Sequence, residues 1–298
     1  MAPSLPINEM DRVADEFDGG VGFYVKDLAT GTLHECNADR RFPTASICKI
    51  PVMIELFRQA EEGGLSLLDR RRLKQPISAA GTGVLRTMED EPELTLRDYC
   101  RLMIQVSDNM ATDLLVDLVG QDRVNATMEA LGASNTRTSM TLGKWHYLMK
   151  GLADLEPSRA NDHILMAADV VRDSISYSDS LENNVASARD MGTILERIYY
   201  GQIVSRMASH EMLEMLKGCD SRTKIPRDLK PDVVVAHKIG GSNRIQGDVG
   251  IALLPSGPLV ISILTLANEG GGAQGMDLIA GISRMAVEAF SLGSVESL

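Results

Sequence analysis

The sequence predicts an α/β fold in which both ends of the chain build one antiparallel sheet flanked by helices, with an all-α segment inserted between them. Short apolar runs bounded by turn residues occur near the N-terminus and again after residue 232, as expected of strands. The segment 63–188 instead has apolar residues at helical spacing and little strand signal. Strands at both ends around a helical middle favour a single sheet made from the two termini.

At the N-terminal end, Ile7–Phe17 has helical spacing with acidic positions facing outward, and the glycines at 19 and 20 end the helix. The runs 21–27 and 32–37 flank the turn 28–31 and predict an antiparallel hairpin. This hairpin leads the chain to Ser46.

In the middle, the sequence Thr95-Leu-Arg-Asp98 resembles a capping box and predicts the start of a helix, whose apolar face leads to Val106. The polar triplet Ser107-Asp108-Asn109 interrupts it. Two further helical patterns follow, and Gly120 and Gly132 end them.

After two more helical patterns between 190 and 215, the hydrophobic period changes. Three apolar runs, 233–238, 248–254 and 259–267, predict an antiparallel meander, and Met276–Phe290 predicts a closing helix. We therefore expect a sheet domain made of residues 1–62 and 189–298 and an all-α domain made of 63–188, with an active site at their interface.

The composition excludes several classes of function. The net charge of −11 among 298 residues argues against nucleic acid or an anionic membrane as a partner. No run approaches the roughly 20 apolar residues that span a bilayer, and the acidic residues within 1–20 do not fit a signal peptide. As written, the chain is predicted to be cytoplasmic, or exported if a leader has been removed. The four cysteines and scattered histidines predict neither a metal site nor disulfides. No cofactor is expected, and the sequence makes no prediction of oligomeric state.

The segment Pro43–Met53 contains the first candidate for catalysis. Ser46 and Lys49 are three residues apart at the start of a helix, so they share one helical face. A neutral amine beside a serine can accept its proton, provided that burial or neighbouring cations lower the lysine pKa. The helix N-terminus adds unpaired N–H groups that favour developing negative charge.

This spacing alone is weak, because a Ser-x-x-Lys pair occurs about once by chance in a chain of this length. A second such pair, Ser221 and Lys224, is present. The Ser107-Asp108-Asn109 triplet and the sequence His237-Lys238-Ile239-Gly240-Gly241, at the end of a predicted strand, make the case much stronger. The chain contains all three motifs in this order, at a helix start, between two helices and at the end of a strand.

Together, these three motifs resemble the motif set of class A β-lactamases and penicillin-recognising serine hydrolases. The resemblance extends over nearly the whole chain, including the leading hairpin, the Ala188-Arg-Asp-Met191 helix start and the final strands. It implies a β-lactamase/transpeptidase-like fold.

The resemblance also implies roles for individual residues. Ser46 would be the acylated nucleophile, with Lys49 accepting its proton, and Ser107 would relay a proton to the leaving nitrogen. Lys238 would supply positive charge near Ser107. The remaining residues would bind substrate or support the site: Asn109 would bind the acyl side chain, Gly240 and Gly241 would line the substrate site, the N–H groups of Ser46 and Gly241 would form the oxyanion hole, and Asp108 would be structural.

Three positions depart from the class A pattern. Ile239 replaces the usual Thr or Ser that binds the β-lactam carboxylate. The arginine of the neighbouring strand is replaced by Val249, for which Arg244 could compensate. Cys100 matches half of a family disulfide, but Met53 occupies the other half.

The glutamate that deacylates class A enzymes, in a Glu-x-x-Leu-Asn loop, also has no clear match. Glu156 is the nearest candidate and Glu182 is the second. For either, a solvated acidic side chain is the alternative interpretation.

Two further segments are considered as sites. Gly270–Gly275 fits Gly-x-Gly-x-x-Gly, but too little chain follows for a second parallel strand, so a close-packed connection is favoured over nucleotide binding. The aromatic cluster Trp145-His146-Tyr147 fits either a pocket lining or a core patch under a long loop.

The sequence thus predicts a serine acyl hydrolase that acts through an acyl-Ser46 intermediate on a small-molecule β-lactam or other cyclic amide. The alternatives that stay open are a cell-wall D,D-peptidase, an esterase, and a penicillin-binding sensor that is acylated and never released.

Overall fold

The computed structural model describes residues 5–74 and 77–291, and the outer ends of the predicted sheet domain, 1–4 and 292–298, lie outside that range. The helices are α1 (Ile7–Asp15), α2 (Lys49–Glu61), α3 (Leu96–Gln105), α4 (Asn109–Val119), α5 (Gln121–Ala130), α6 (Leu142–Met149), α7 (Asp162–Ala167), α8 (Ala188–Tyr199), α9 (Arg206–Lys217) and α10 (Gly272–Ser291). The strands are β1 (Gly19–Asp27), β2 (Leu33–Cys36), β3 (Arg41–Pro43), β4 (Arg70–Arg72), β5 (Glu93–Thr95), β6 (Val185–Ser187), β7 (Val234–Gly241), β8 (Ile245–Leu254) and β9 (Gly257–Ala267).

The main sheet has five antiparallel strands in the order β2-β1-β9-β8-β7. The N-terminal hairpin and the C-terminal meander therefore meet where β1 pairs with β9, from Gly19 opposite Ala267 to Asp27 opposite Leu259. This confirms the predicted sheet built from both ends of the chain. It also makes β7 an edge strand, with one side free to face the rest of the site.

Both faces of the sheet are covered, which explains why its strands are continuous apolar runs. Helices α1 and α10 pack on one face, and α8 packs on the other. Alternate residues of β1 serve the two layers: Val21, Phe23 and Val25 join the core under α10, whereas Tyr24 joins the larger core that includes α8. Gly192 on α8 lets the Tyr24 ring approach closely, since a Cβ there would lie 2.3 Å from it.

The middle segment is mostly helical, as predicted, but it also contains strands that the sequence did not reveal. Strand β4 pairs with β5, and β6 pairs with β3. Each has three residues, too few to show a period of two. Helix α2 packs on α4 and α5, so the Ser46-bearing segment is fixed against the helical layer. The exact domain boundaries at 62 and 188 stay a prediction.

The glycine-rich segment 270–275 covers the end of the connection that follows β9 and the first turn of α10, which packs closely on the sheet. A Cβ on Gly275 would lie 2.9 Å from Thr265 Oγ1 and 3.0 Å from Gln246 Cβ. These contacts account for a small residue there without a bound nucleotide. Among the described helices, none combines the length and apolar composition that a membrane crossing requires.

Candidate active site

Ser46 lies in a short 3₁₀ turn, Ala45–Cys48, that runs directly into α2. Its side chain is partly exposed, whereas the neighbouring residues 42–45 and 47–50 are buried. Ala45 has a left-handed backbone, with φ of 44°, a conformation that costs energy for a residue with a Cβ and is typical of functional sites. The Asn184 carbonyl oxygen holds the turn from behind by accepting from Thr44 N at 2.9 Å and Thr44 Oγ1 at 3.0 Å.

Lys49 is fully buried, and its amine connects the helix that follows Ser46 to the Ser107-Asp108-Asn109 triplet. Nζ lies 2.8 Å from Ser107 O, 3.0 Å from Ser107 Oγ and 2.8 Å from Asn109 Oδ1. Burial holds the pKa of Lys49 well below its ordinary value, and the positive charge of Lys238 lowers it further. A neutral Lys49 can donate its two N–H groups to the carbonyl oxygens of Ser107 and Asn109 and accept from the Ser107 hydroxyl.

The Ser107-Asp108-Asn109 triplet is held in a strained turn at the start of α4. Ser107 has φ of 56°. Asp108 is fully buried and accepts from Ala111 N at 3.0 Å and Leu85 N at 2.8 Å, so it caps α4 and fixes the preceding loop. Asn109 donates from Nδ2 to Ala80 O at 3.0 Å, which orients its Oδ1 toward Lys49.

Lys238 reaches the same hydroxyl from the edge strand β7. Its Nζ donates to Ser107 Oγ at 3.0 Å and to Ile239 O at 3.0 Å. Burial lowers the Lys238 pKa, and the nearby Cys219 and Asp248 oppose that shift. Ser107 Oγ therefore lies between two buried amines, Lys49 and Lys238. This arrangement can pass a proton through Ser107.

The Gly240–Gly241 end of β7 packs directly against the Ser46 turn. Ser242 N donates to Ile245 O at 2.8 Å. Because hydrogen-bonded and non-bonded pairs alternate in antiparallel strands, the next non-bonded pair is Gly241 with Gln246. The N–H of Gly241 consequently points away from β8, toward the open edge that faces Ser46.

Gly240 is close enough to the turn to yield a prediction. A Cβ on Gly240 would lie 2.3 Å from Thr44 O and 3.1 Å from Ile47 N. Both are backbone atoms that cannot rotate away, so we expect Gly240→Ala to push β7 from the Ser46 turn, destabilise the protein by about 1–3 kcal/mol and lower acylation. Urea unfolding and acylation kinetics measure both effects.

The matched control is Gly281→Ala on α10, where the new methyl group would meet no described atom within 4 Å apart from the adjacent backbone of its own helix. There we expect unfolding stability to rise by up to about 1 kcal/mol with unchanged acylation. A Gly240→Ala protein that is as stable and active as the original would contradict the close packing of β7 on the turn.

A buried charged cluster lies behind β7. His237 Nδ1 is 2.8 Å from Asp248 Oδ1; burial disfavours the imidazolium, but the Asp248 charge outweighs it and raises the pKa of His237 to about 10. Lys224 Nζ donates to Gly240 O at 2.6 Å and Gly247 O at 3.1 Å. Burial lowers the pKa of Lys224 to about 8, with Asp248 acting in the opposite direction.

Lys224 is a site residue that the sequence did not identify. In the sequence it is only part of the chance pair with Ser221, yet its amine lies 3.3 Å from a Cβ built on Gly241. Arg244, which was considered as a source of positive charge, instead donates to Ala267 O and Arg172 O and stacks over the Tyr177 ring. No local signal distinguishes Lys224, because Arg222, Arg227 and Lys230 carry the same charge nearby in the sequence.

The structure does not bring either candidate glutamate to these residues. Glu156 is exposed and lines a separate surface cavity of about 370 Å³, and in the described part of the chain its carboxylate makes no hydrogen bond. The reason is that Asn161 Nδ2 donates to Glu156 O at 2.9 Å and holds this loop at the surface. Glu182 is also exposed, while the adjacent Asn183 and Asn184 are buried and structural. Across 5–74 and 77–291, no three His, Cys, Asp or Glu side chains are grouped so that they could hold a metal ion.

Comparison with known proteins identifies the family. The model of the beta-lactamase enzyme family matches residues 6–290. The chain belongs to the β-lactamase enzyme family. As a member, it is a serine hydrolase of the class that opens the amide bond of a β-lactam ring, which confirms the predicted enzyme class.

Individual relatives are distant but cover the chain well. A beta-lactamase of Streptomyces fradiae is 24% identical over 286 residues, 92% of this chain and 82% of the relative. The crystal structure of a beta-lactamase from Sphaerobacter thermophilus DSM 20745 is 28% identical, covers 96% of both chains and superposes with a TM-score of 0.78. A mutant of PBP-A, in an acyl-enzyme complex with penicillin G, is 22% identical with a TM-score of 0.78 and covers 98% of this chain and 99% of its own. These structures confirm the β-lactamase/transpeptidase-like fold.

The two lysines of this family member yield a pH prediction. Because the Lys238 charge lowers the Lys49 pKa, Lys238→Met should raise that pKa and leave less neutral Lys49 at a given pH. We expect the acidic limb of acylation to move to higher pH, and the rate at pH 7 to fall by about 10- to 100-fold. The exposed Lys230 provides the control, Lys230→Met, which should leave the profile in place. An unmoved acidic limb in Lys238→Met would refute the electrostatic coupling.

Proposed function

We propose that this protein hydrolyses β-lactams, or a related cyclic amide, through an ester formed on Ser46. Ser46 Oγ attacks the amide carbonyl while its proton passes to Lys49. Ser107 then gives a proton to the leaving nitrogen, and Lys238 donates to Ser107 throughout. The N–H groups of Ser46 and Gly241 stabilise the oxyanion.

The observation that carries the proposal is the position of Ser107 Oγ, 3.0 Å from both Lys49 Nζ and Lys238 Nζ. Acyl transfer requires a proton acceptor for the nucleophile and a proton donor for the leaving group. A lysine with a strongly lowered pKa, joined through a hydroxyl to a second lysine, supplies both functions in one chain of hydrogen bonds. Among the described residues, Ser221 has no equivalent chain of hydrogen bonds, and its Oγ contacts Thr223 Oγ1 at 3.0 Å.

For substrate recognition, we propose that Lys238 and Lys224 provide the positive potential for a carboxylate. Ile239 offers no hydroxyl for this purpose, but both amines contact β7, Lys238 at Ile239 O and Lys224 at Gly240 O. The substrate is thus proposed to be an anionic lactam. The predicted sheet-forming part and the predicted helical part of the chain would both contact it, because Ser46 and β7 belong to the sheet-forming ends and Ser107 belongs to the helical middle.

The experiment that tests the proposed function combines two measurements on one sample. A chromogenic cephalosporin is added, ring opening is followed by absorbance, and intact-protein mass is recorded after acid quenching. We expect sustained turnover with a transient acyl adduct of one equivalent. A stable adduct without turnover would identify a penicillin-trapping protein, and no adduct and no turnover would overturn the proposal for β-lactams.

A further inference from the structure

The open chemical question is which group activates water to release the acyl group from Ser46. Glu156 and Glu182 are exposed and away from the site. The buried Asp113 already accepts from Leu142 N at 2.6 Å and Gly143 N at 2.8 Å. These bonds commit its carboxylate to holding the N-terminus of α6 in place. A base must therefore come from another residue.

Helix α6 places His146 beside the candidate site. The preceding residue, Trp145, is buried in a small cluster that also contains Ala45, the residue before Ser46, and Ile245 at the start of β8. The residue next to His146 is thus anchored in the same buried cluster as the residue that precedes the nucleophile.

The imidazole is also a neighbour of Asn109, which bonds Lys49. Gly81 lies between them: a Cβ built there would be 2.0 Å from Asn109 Nδ2 and 3.0 Å from His146 Cε1. Gly81 has φ of +88° as well, so this position requires glycine both conformationally and sterically. The loop therefore lets the histidine and the asparagine approach each other.

The hydrogen bond at Nδ1 sets the tautomer of His146. Nδ1 is 2.7 Å from Leu142 O, and a carbonyl oxygen can only accept, so Nδ1 carries the proton. In the neutral ring, Nε2 then has a free lone pair, and within 5–74 and 77–291 no protein group hydrogen-bonds it. Burial lowers the pKa of His146, and Lys49 acts in the same direction while Asp162 opposes it. The ring is therefore neutral at pH 7.

We propose that His146 is the general base of deacylation, an inference that rests on the proposed acyl-Ser46 intermediate. Nε2 takes a proton from a water molecule as the water oxygen bonds to the ester carbonyl carbon. The tetrahedral intermediate collapses by breaking the bond between that carbon and Ser46 Oγ, and Oγ takes the proton back from the imidazolium. The products are free Ser46, neutral His146 and the ring-opened acid. Lys49 and Ser107 remain the acylation machinery.

The test separates the two half-reactions in His146→Gln, whose side chain retains hydrogen-bonding groups but cannot accept a proton near pH 7. With a chromogenic cephalosporin, we expect the burst of ring opening to keep its rate within about threefold, while the later deacylation falls by about 10²-fold or more. The acyl adduct should then accumulate on the intact protein. The control is His163→Gln on α7, an exposed histidine whose replacement should leave both phases unchanged.

The pH profile supplies a readout that a structural role would not move. Wild-type deacylation should lose rate below an acidic midpoint lower than about 6.5, since protonation of Nε2 removes the base, and this limb should be absent from the residual rate of His146→Gln. The charged or titratable groups that face the ring are Lys49 and Asp162.

Three outcomes would overturn the inference. One is a deacylation rate in His146→Gln equal to that of the wild type. Another is a wild-type deacylation rate that does not change between pH 4.5 and 7.5, a result that remains decisive if the variant does not fold. The third is an acyl adduct on the wild-type protein that is not hydrolysed, which would show that His146 does not act as a base although Ser46 is acylated. If the wild type forms no adduct and opens no ring, the proposed function fails and this inference fails with it.

Discussion

Ser46→Ala should form no acyl adduct and should lose at least about 10³-fold in kcat/KM. Alanine removes the only atom that can form the ester and changes nothing else in the turn, because Ser46 Oγ has no hydrogen-bond partner among the described residues. The unfolding midpoint should therefore stay close to that of the wild type. Stopped-flow absorbance and intact-protein mass measure the loss.

The chain provides a matched control for this substitution. Ser221 is also three residues before a buried lysine, Lys224, but among residues 5–74 and 77–291 its hydroxyl contacts Thr223 and no amine. Ser221→Ala should acylate at the wild-type rate. Full activity in Ser46→Ala, or loss of activity in Ser221→Ala, would show that Ser46 is not the nucleophile.

Replacing Lys49 should produce the second large effect. Lys49→Met retains most of the buried volume and removes the amine, and Lys49→Arg retains a cation that cannot lose its proton at neutral pH. If Lys49 acts as the neutral base, both variants should slow acylation by about 10³-fold, despite the charge that arginine preserves. The rate of adduct formation in rapid-quench mass spectrometry gives the comparison.

The pair of variants discriminates between two roles of Lys49. An amine that merely contributed positive charge would be replaced in part by arginine, so Lys49→Arg would retain much of the acylation rate that Lys49→Met loses. The burial that lowers the Lys49 pKa predicts the opposite result. Unfolding curves are needed for both, because the methionine variant leaves Asn109 Oδ1 without its buried donor.

The sequence predicted the fold well because its strongest signals are local. The hairpin at β1 and β2, the meander at β7 to β9 and the closing helix all appear as changes in hydrophobic period. The pairing of β1 with β9 could be inferred only from the resemblance and from the placement of strands at the two ends. The short strands β3 to β6 could not be predicted from the sequence because tertiary contacts decide their pairing.

The candidate site was predictable to the extent that its residues sit in short motifs. Ser46 and Lys49 are neighbours in one helical turn, and Ser107 and Asn109 lie in one triplet. Glu156 has only the approximate spacing of the expected base, and spacing does not determine whether a loop folds inward. The Asn161 contact holds this loop at the surface. Lys224 and His146 reach the site through the packing of separate elements, against Gly240 and Gly81. No local pattern encodes such contacts.

The most direct test of the central claim is peptide mapping of the acyl-enzyme. The protein is quenched in acid within the burst phase of β-lactam turnover and digested, and the peptide carrying the added mass is sequenced by tandem mass spectrometry. The account predicts one adduct, on Ser46, in the wild type and in His146→Gln, with greater occupancy in the variant. An adduct on Ser107 or Ser221, or ring opening with the Ser46 peptide unmodified in both proteins, would contradict it.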